Sequence, residues 1–280
     1  MEIEQYKNEY LQYLEVEKNR STSTIANYRI YLERFIAATK VQSVADITEP
    51  AIREYRLGLS QINLKKITQN YCVVIVRNFL KYLEWRGIPC LNSNRIQLAK
   101  QEQRKVDFLE PEEVARLVCQ PDNARDRAIL TVLYSTGLRI SELAALNRDD
   151  VLKREVVIRG KGGKVRTVFL SDEARRRLSM YLSERDDDDN NPALFINRSV
   201  RLPIRSIQTM VKRAAKQAGI EKKVSAHTIR HSFATGLLRN GADIRVVQEM
   251  LGHSSITTTT IYTHVANAQM REAHEKYHDK

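Results

Sequence analysis

The chain has 280 residues and a formal net charge of +12 at neutral pH, with 42% hydrophobic and 29% charged residues. This composition excludes an intrinsically disordered chain, and the length is sufficient for two domains with buried cores. The positive charge is divided, with 17 basic and 11 acidic residues up to Lys105 and 29 and 23 beyond it. We therefore expect both halves of the chain to contact one polyanion.

The cysteines and the lengths of the apolar runs indicate where in the cell the protein is located. Cys72, Cys90 and Cys119 form no CxxC pair, which is typical of reduced thiols inside the cell. No apolar run approaches the roughly 18 residues of a transmembrane helix, and the first ten residues do not resemble a signal peptide. These features predict a cytoplasmic protein without a membrane partner.

The first domain, residues 1–91, is predicted to be a small all-helical bundle. Apolar residues recur at helical spacing from Tyr6 to about Arg86. A hydroxyl-rich start precedes the helix that contains Ile25, and Thr48 and Pro50 are typical of another helix start. Residues 68–85 form a further strongly amphipathic stretch.

Residues 92–107 are polar, basic and aperiodic, and we interpret them as an interdomain linker. A second domain, residues 108–280, begins with helices through Leu146. Residues 154–170 have β-type composition around a glycine-rich turn and predict a hairpin, and helices resume at about Arg205. The expected fold is mostly α, with a mixed α+β second domain that contains a small β-hairpin or sheet.

Arg139 lies between a glycine-containing turn and a helix start marked by Ser141, in STGLRISELAAL. A guanidinium at a rigid helix N-terminus suits an anion. Glu142 could orient this arginine or simply cap the first helical turn, and a lone arginine is often only a surface residue.

His227 and Arg230 are three residues apart on a predicted helix that Ser225 caps, in SAHTIRHSFATGLLRNG. They therefore share one face and could bind one anionic oxygen, although such a pair is often only a surface pair. His231 adds the i, i+4 spacing of zinc ligands. HTIRH lacks the glutamate of HExxH and a third ligand, so zinc is disfavoured.

GKGGK, residues 160–164, lies at the tip of the predicted hairpin. It is not a P-loop, because neither Ser nor Thr follows Lys164 and a strand rather than a helix comes next. Its lysines could reach a DNA backbone or could simply be solvated. The acidic run RDDDDNN, residues 185–191, is interpreted as a solvated loop rather than a metal site.

His253 and Tyr262 lie in LGHSSITTTTIYTH, just beyond a helix that Asp243 starts and Gly252 ends. When a tyrosine oxygen attacks a phosphodiester, the reaction passes through a five-coordinate phosphorane. Two arginines could stabilise its added negative charge. Its phenol needs activation, and the leaving 5′ oxygen needs a proton, which a lysine could donate. This chemistry requires neither a metal nor another cofactor.

The chain resembles the tyrosine recombinase (phage integrase) family, most closely the Xer-type site-specific recombinases. The resemblance rests on the order and spacing of TGLRISEL, GKGGKVR, HTIRHSFAT, LGHSSITTT and IYTH. STSTIANYRIYLERF and VRNFLKYLEWRG match more loosely, so the resemblance covers nearly the whole length. It implies a SAM-like core-DNA-binding domain and a catalytic domain that close as a C-shaped clamp around double-stranded DNA.

The resemblance also implies residue roles. Arg139 and Arg230 would hold the scissile phosphate, with Glu142 behind them, while Lys164 would protonate the 5′ oxygen and His227 would serve as acid and base. His253, a tryptophan in some relatives, would hydrogen-bond the phosphate, and Tyr262 would form a 3′-phosphotyrosyl intermediate. The tail helix, residues 265–280, would dock on a neighbouring protomer, although packing on its own domain is the alternative.

The implied function is Xer-like resolution of chromosome or plasmid dimers. It would be performed by a homotetramer, or a heterotetramer with a second recombinase, on DNA, with an accessory DNA translocase as a further partner. A compact mobile-element integrase remains an alternative. A type IB topoisomerase fits the order of motifs less well. A non-catalytic helix-turn-helix regulator would explain the charge but not Arg139, Lys164 and Tyr262.

Overall fold

The computed structural model of the protein describes residues 2–99, 107–160, 163, 165–185 and 191–252. The chain divides into two compact units, Met1–Gln103 and Arg104–Lys280. Over the described residues both units are built mainly from helices, and the second also contains short antiparallel strands. The predicted mostly α fold with a mixed second domain is confirmed.

The N-terminal unit is a helical bundle, as predicted. Ser21 accepts a hydrogen bond from the Thr24 backbone N–H, and Thr48 does the same for Ala51, with Pro50 in the first turn. Both N-caps predicted from the sequence are therefore present. The helices are α1 (Ile3–Val16), α2 (Thr22–Thr39), α3 (Glu49–Gln61) and α4 (Lys66–Trp85).

Helix α4 forms the centre of this bundle and packs against α1, α2 and α3. Its apolar residues recur at helical spacing, so one broad face is buried. Phe79, Leu80 and Leu83 on α4 and Leu32 and Phe35 on α2 are almost completely buried. Burial of these large side chains supplies the main stabilising free energy of the unit.

The first part of the predicted linker packs against the N-terminal unit. The Ser93 N–H and hydroxyl both donate to the Glu84 carboxylate, and Ile96 is buried. The Asn70 side chain exchanges two hydrogen bonds with the Ala99 backbone, at 2.7 and 3.1 Å. The polar composition of this segment did not predict the packing, because side chains of α4 hold the segment mainly by hydrogen bonds to its backbone.

The C-terminal unit surrounds α6 (Ala124–Thr136), which packs against α8 (Asp172–Glu184) and α10 (Ala226–Arg239). Residues 128–133 of α6 are all buried, because helices cover it on several sides. Helix α8 and a short hairpin formed by β3 (Ile196–Asn197) and β4 (Val200–Arg201) have no counterpart in the sequence-based expectations. The helices are α5 (Pro111–Cys119), α6 (Ala124–Thr136), α7 (Ile140–Ala145), α8 (Asp172–Glu184), α9 (Ile204–Gln217), α10 (Ala226–Arg239) and α11 (Ile244–Leu251).

The hairpin predicted in residues 154–170 is confirmed. Strands β1 (Glu155–Arg159) and β2 (Val165–Phe169) pair antiparallel, with Arg159 opposite Val165. Alternate residues, among them Ile158 and Val168, are buried. The second hairpin pairs β3 (Ile196–Asn197) with β4 (Val200–Arg201). Residues 186–190, which form most of the acidic run, lie outside the described residues.

Candidate active site

A glycine turn presents Arg139 at the start of α7. Gly137 ends α6 in the left-handed conformation, with φ 61°, and its N–H donates to the Leu133 carbonyl. A Cβ at Gly137 would lie 2.4 Å from Cδ1 of Phe233, so this close approach excludes any side chain. Helix α7 starts at Ile140, with Arg139 rather than Ser141 at the boundary. The predicted position of Arg139 at a helix N-terminus is confirmed.

Glu142 binds Arg139 twice. Its carboxylate accepts the Arg139 backbone N–H at 2.8 Å and the Arg139 Nη1 at 2.9 Å. The two interpretations of Glu142, orientation of the arginine and capping of the helix, therefore both hold. The Glu142 side chain is only 8% exposed, whereas that of Arg139 is 41% exposed. Arg139 thus keeps an open side toward an anion.

Arg166 completes this cluster and was not identified from the sequence. Its Nη1 and Nη2 donate to the two Glu142 oxygens at 2.9 and 2.7 Å, and its Nε donates to the Met250 carbonyl at 3.0 Å. The signal that could have found it is its alternation with buried Val168 on β2, since a charged residue facing inward needs a buried counter-charge.

The electrostatics of the cluster follow from these contacts. Burial by itself would raise the pKa of Glu142, but hydrogen bonds from Arg166 and from Arg139 lower this pKa to about 2. Glu142 is therefore ionised at neutral pH and lies between two permanently charged guanidinium groups. The cluster of Arg139, Glu142 and Arg166 carries a net charge of +1.

Arg230 lies on α10, and Ser225 caps this helix as predicted by accepting the Thr228 N–H at 3.2 Å. The Arg230 guanidinium is buried, with the residue 3% exposed. Nη1 donates to the Gly137 carbonyl at 2.6 Å and Nη2 donates to the Leu251 carbonyl at 2.5 Å. Arg230 therefore joins the turn before Arg139 to the last residue of α11.

His227 lies one turn before Arg230 on α10 and reaches the surface. Loss of hydration on its packed side lowers the pKa of His227, and the positive charges of Arg230 and Arg139 lower it further. Its ring meets that of buried His231 edge to face, with centroids 4.4 Å apart. The neutral imidazole favoured by this environment can accept a proton.

The predicted site residues Arg139 and Arg230 converge on one turn, and Glu142 joins this pair through Arg139. Arg139 Nη2 donates to the Gly252 carbonyl at 3.1 Å, next to the Leu251 carbonyl that binds Arg230. As predicted, Asp243 caps α11 and Gly252 ends it, with φ 63°. His253 follows directly along the chain.

Three predicted site residues, Lys164, His253 and Tyr262, lie outside the described residues, as does the tail, 265–280. Two of these residues have sequence neighbours at the site. Arg166, a member of the cluster, follows Lys164 by two positions, and Gly252, whose carbonyl binds Arg139, directly precedes His253. Among the described residues, no group of three His, Cys, Asp or Glu side chains could hold a metal ion. No helix of the described part of the chain is long and apolar enough to cross a membrane.

Two family models match the chain. The phage integrase family matches residues 107–269, and the N-terminal SAM-like domain of phage integrases matches residues 8–87. The first match spans more than half of the chain and contains all seven predicted site residues. Together the matches follow the two compact units.

Curated relatives and a solved structure agree with these matches. The chain is 34% identical to tyrosine recombinase XerC of Thermodesulfovibrio yellowstonii, covering 98% of this chain and 96% of the relative. It is also 34% identical to tyrosine recombinase XerD of Oceanobacillus iheyensis, covering 97% of both. The post-cleavage complex of the XerH site-specific recombinase with a palindromic difH substrate is 26% identical, with a TM-score of 0.75 over 94% of this chain and 82% of that one. The chain therefore belongs to the phage integrase family, as a tyrosine recombinase of the Xer type.

Proposed function

We propose that this protein cuts and rejoins double-stranded DNA at a specific site through a covalent tyrosyl intermediate. The observation that carries the proposal is the convergence of Arg139 and Arg230 on the consecutive carbonyls of Gly252 and Leu251. This turn leads directly into the segment that contains His253 and Tyr262. Two guanidinium groups held beside one turn suit the negative charge of a phosphorane.

In the proposed step, the Tyr262 oxygen attacks the scissile phosphorus and the bond from phosphorus to the 5′ oxygen breaks. His227 accepts the phenol proton, and Lys164 donates a proton to the departing 5′ oxygen. The products are a 3′-phosphotyrosyl linkage and a free 5′ hydroxyl. Because the linkage retains the bond energy, a 5′ hydroxyl of another strand can reverse the step and join the strands without an external energy source or metal.

Arg139 and Arg230 would act on the charge of the phosphate. A guanidinium stays protonated at all physiological pH values, and preorganised donors stabilise a developing anion more than the ground state. Their neighbour His227 has a lowered pKa, so its imidazole is neutral and ready to accept the phenol proton. His253 would add a hydrogen bond to the phosphate.

We propose that the biological reaction is resolution of chromosome or plasmid dimers in the cytoplasm. The relatives named XerC and XerD support this role over that of a compact mobile-element integrase. Recombination of two duplexes needs four protomers, either a homotetramer or a heterotetramer with a second recombinase, with residues 265–280 docking in trans. A DNA translocase is the proposed accessory partner.

Covalent capture tests the proposed function. The protein is incubated with genomic DNA of its source organism in EDTA and denatured, and protein-linked fragments are sequenced. We expect adducts at one recurring site from the native protein and none from Tyr262→Phe. Adducts from the Phe variant would exclude Tyr262 as the nucleophile, and an absolute need for a divalent metal would contradict the mechanism.

Arg139→Ala is the matched variant for the phosphate-binding role. It should retain most DNA affinity, because many other phosphate contacts remain, and should form no adduct. Equal loss of binding and cleavage would make Arg139 an affinity residue. Deletion of residues 266–280 should impair cleavage more than folding, and normal recombination by this truncation would contradict docking in trans.

A further inference from the structure

Arg166 binds Glu142, the partner of Arg139, but the proposed cleavage step assigns no role to Arg166. Its side chain is 10% exposed and Glu142 is 8% exposed, so the pair is nearly shielded from water. We propose that Arg166 is a positioning residue that acts through Glu142 to keep Arg139 oriented toward the scissile phosphate and to keep the net charge of the Arg139, Glu142 and Arg166 cluster positive. This inference rests on the proposed function of Arg139.

The geometry gives Arg166 control over the position of Glu142. Arg166 binds both carboxylate oxygens in parallel, at 2.9 and 2.7 Å. Bidentate pairs of this kind are strong and directional, so they fix the plane of the carboxylate. The same Oε1 accepts Arg139 Nη1 at 2.9 Å. The orientation of the Arg139 guanidinium therefore depends on a carboxylate that Arg166 fixes.

Charge supplies a second reason. Without Arg166, Glu142 and Arg139 would form a neutral pair, and the carboxylate would compete with a phosphate for the Arg139 guanidinium. With Arg166 present, the negative charge of Glu142 is matched by a separate cation, and the cluster keeps one positive charge. In a partly buried site this difference acts on a bound phosphate with little screening by water.

Arg166 also contacts the turn at the end of α11, whose Gly252 carbonyl accepts Arg139 Nη2. Its Nε donates to the Met250 carbonyl at 3.0 Å. A Cβ at Gly252 would lie 3.0 Å from Cδ of Arg166, so the side chain packs closely under this turn. Arg166 therefore contacts the turn that carries the Gly252 carbonyl, the second partner of Arg139, through Met250 two residues earlier. Arg166 binds one partner of Arg139, Glu142, directly and packs against the turn that carries the other.

A different route would run through the hairpin, because Lys164 lies two residues before Arg166. The two routes predict different responses to the chemistry of the substrate. A neutral methylphosphonate at the scissile position removes the charge that Arg139 stabilises. A 5′-bridging sulfur gives a leaving group that needs no proton, so it removes the need for a general acid.

The test measures single-turnover cleavage by Arg166→Gln and Arg166→Lys on DNA with a normal phosphate, a methylphosphonate or a 5′-bridging sulfur. The control is Arg177→Gln, which removes an arginine bonded to Glu173 on α8 of the same unit, at 2.7 Å. Melting temperature and DNA affinity are measured for each variant. Arg139→Ala runs in parallel and reports on the proposed function alone.

We expect Arg166→Gln to bind DNA normally and to cleave the normal phosphate about 100-fold more slowly, as for other small displacements of a positioned group. Arg166→Lys should lose less, because it keeps the charge but not the fork, and Arg177→Gln should match the native protein. The defect of Arg166→Gln should disappear on the methylphosphonate and persist with the 5′ sulfur.

Native rates for both Arg166 variants would overturn the inference, and so would rescue by the 5′ sulfur, which would assign Arg166 to Lys164. A defect that persists on the methylphosphonate would indicate a purely structural role and would also overturn it. If Arg166→Gln does not fold, the cleavage rates of Arg166→Lys on the same three substrates provide the test. Native cleavage by Arg139→Ala would instead refute the proposed function.

Discussion

The two units of the molecule are stabilised in different ways. In the N-terminal unit, Tyr10 contacts Phe79 and Tyr82 at ring-centroid distances of 5.5 and 5.0 Å, inside a core of mainly apolar side chains. In the C-terminal, catalytic unit, the buried Arg230 binds two backbone carbonyls, and the largely buried Arg166 binds the Met250 carbonyl and Glu142. The N-terminal unit buries the charged side chain of Lys7, but its partners Glu4 and Glu33 are half exposed, whereas the catalytic unit buries Arg166 together with its partner Glu142.

This difference separates stability from function. Apolar burial is non-directional, so a bundle of this kind tolerates exchange of side chains of similar volume. A buried charge is costly unless each hydrogen bond is satisfied, so the cluster around Glu142 accepts few substitutions. Under the proposed function, the catalytic unit keeps such groups because a binding site for a phosphate needs cations held in advance.

The largest effect is expected from the apolar core of the N-terminal unit. Phe35→Ala should lower the free energy of unfolding by about 3–5 kcal/mol, because Phe35 is completely buried and meets Tyr55 edge to face. Urea unfolding can be followed by the fluorescence of Trp85, the single tryptophan, which lies in the same unit.

The control for this prediction is Ile30→Ala, also on α2. Ile30 is 57% exposed, so its truncation should change the free energy of unfolding by no more than about 0.5 kcal/mol. Equal losses from the two variants would show that burial on α2 does not determine the stability of the unit.

The glycine turn of the catalytic unit should respond next. Gly137→Ala should destabilise the protein by about 2–4 kcal/mol, because it combines a left-handed backbone with overlap on Phe233. Gly241→Ala is the control, since Gly241 also has positive φ but open space, and should cost about 1–2 kcal/mol. The free energy of unfolding of each variant can be measured by circular dichroism. Equal losses in the two variants would contradict the packing argument.

The cap of α10 should have a smaller effect on stability and a specific effect on cleavage. Ser225→Ala should cost about 1 kcal/mol, because the Thr228 N–H loses its acceptor. It should also slow adduct formation, since the first turn of α10 holds His227. The control, Ser21→Ala, removes the cap of α2 and should affect thermal melting without changing the cleavage rate of bound DNA. A cleavage defect in Ser21→Ala but not in Ser225→Ala would contradict the proposal that the cap of α10 positions His227.

The smallest effect concerns protonation of His227. Burial and the charges of Arg230 and Arg139 lower its pKa, so removing one positive neighbour should raise that pKa toward the ordinary value. NMR titration of the DNA-free protein can compare native His227 with that in Arg139→Gln, and His227→Gln assigns the resonance. A pKa unchanged or lower in Arg139→Gln would contradict this account of the site.

Local patterns in the sequence predicted local structure well. The caps at Thr48 and Ser225, the hydroxyl-rich start of α2 and the hairpin within residues 154–170 were correctly predicted, because each depends on residues within a few positions of one another. The packing of residues 92–99 was not predicted, since it depends on Asn70 and Glu84, which are distant in sequence.

The sequence by itself determined most of the helices other than α8, several of their caps and the order of motifs that identifies the family. Only the tertiary structure decided that Arg166 binds Glu142, 24 positions away, and that Arg139 and Arg230 meet at the end of α11. The physical reason is range. Helix and turn signals act between near neighbours, whereas the partner of a buried charge is chosen by the packing of distant elements.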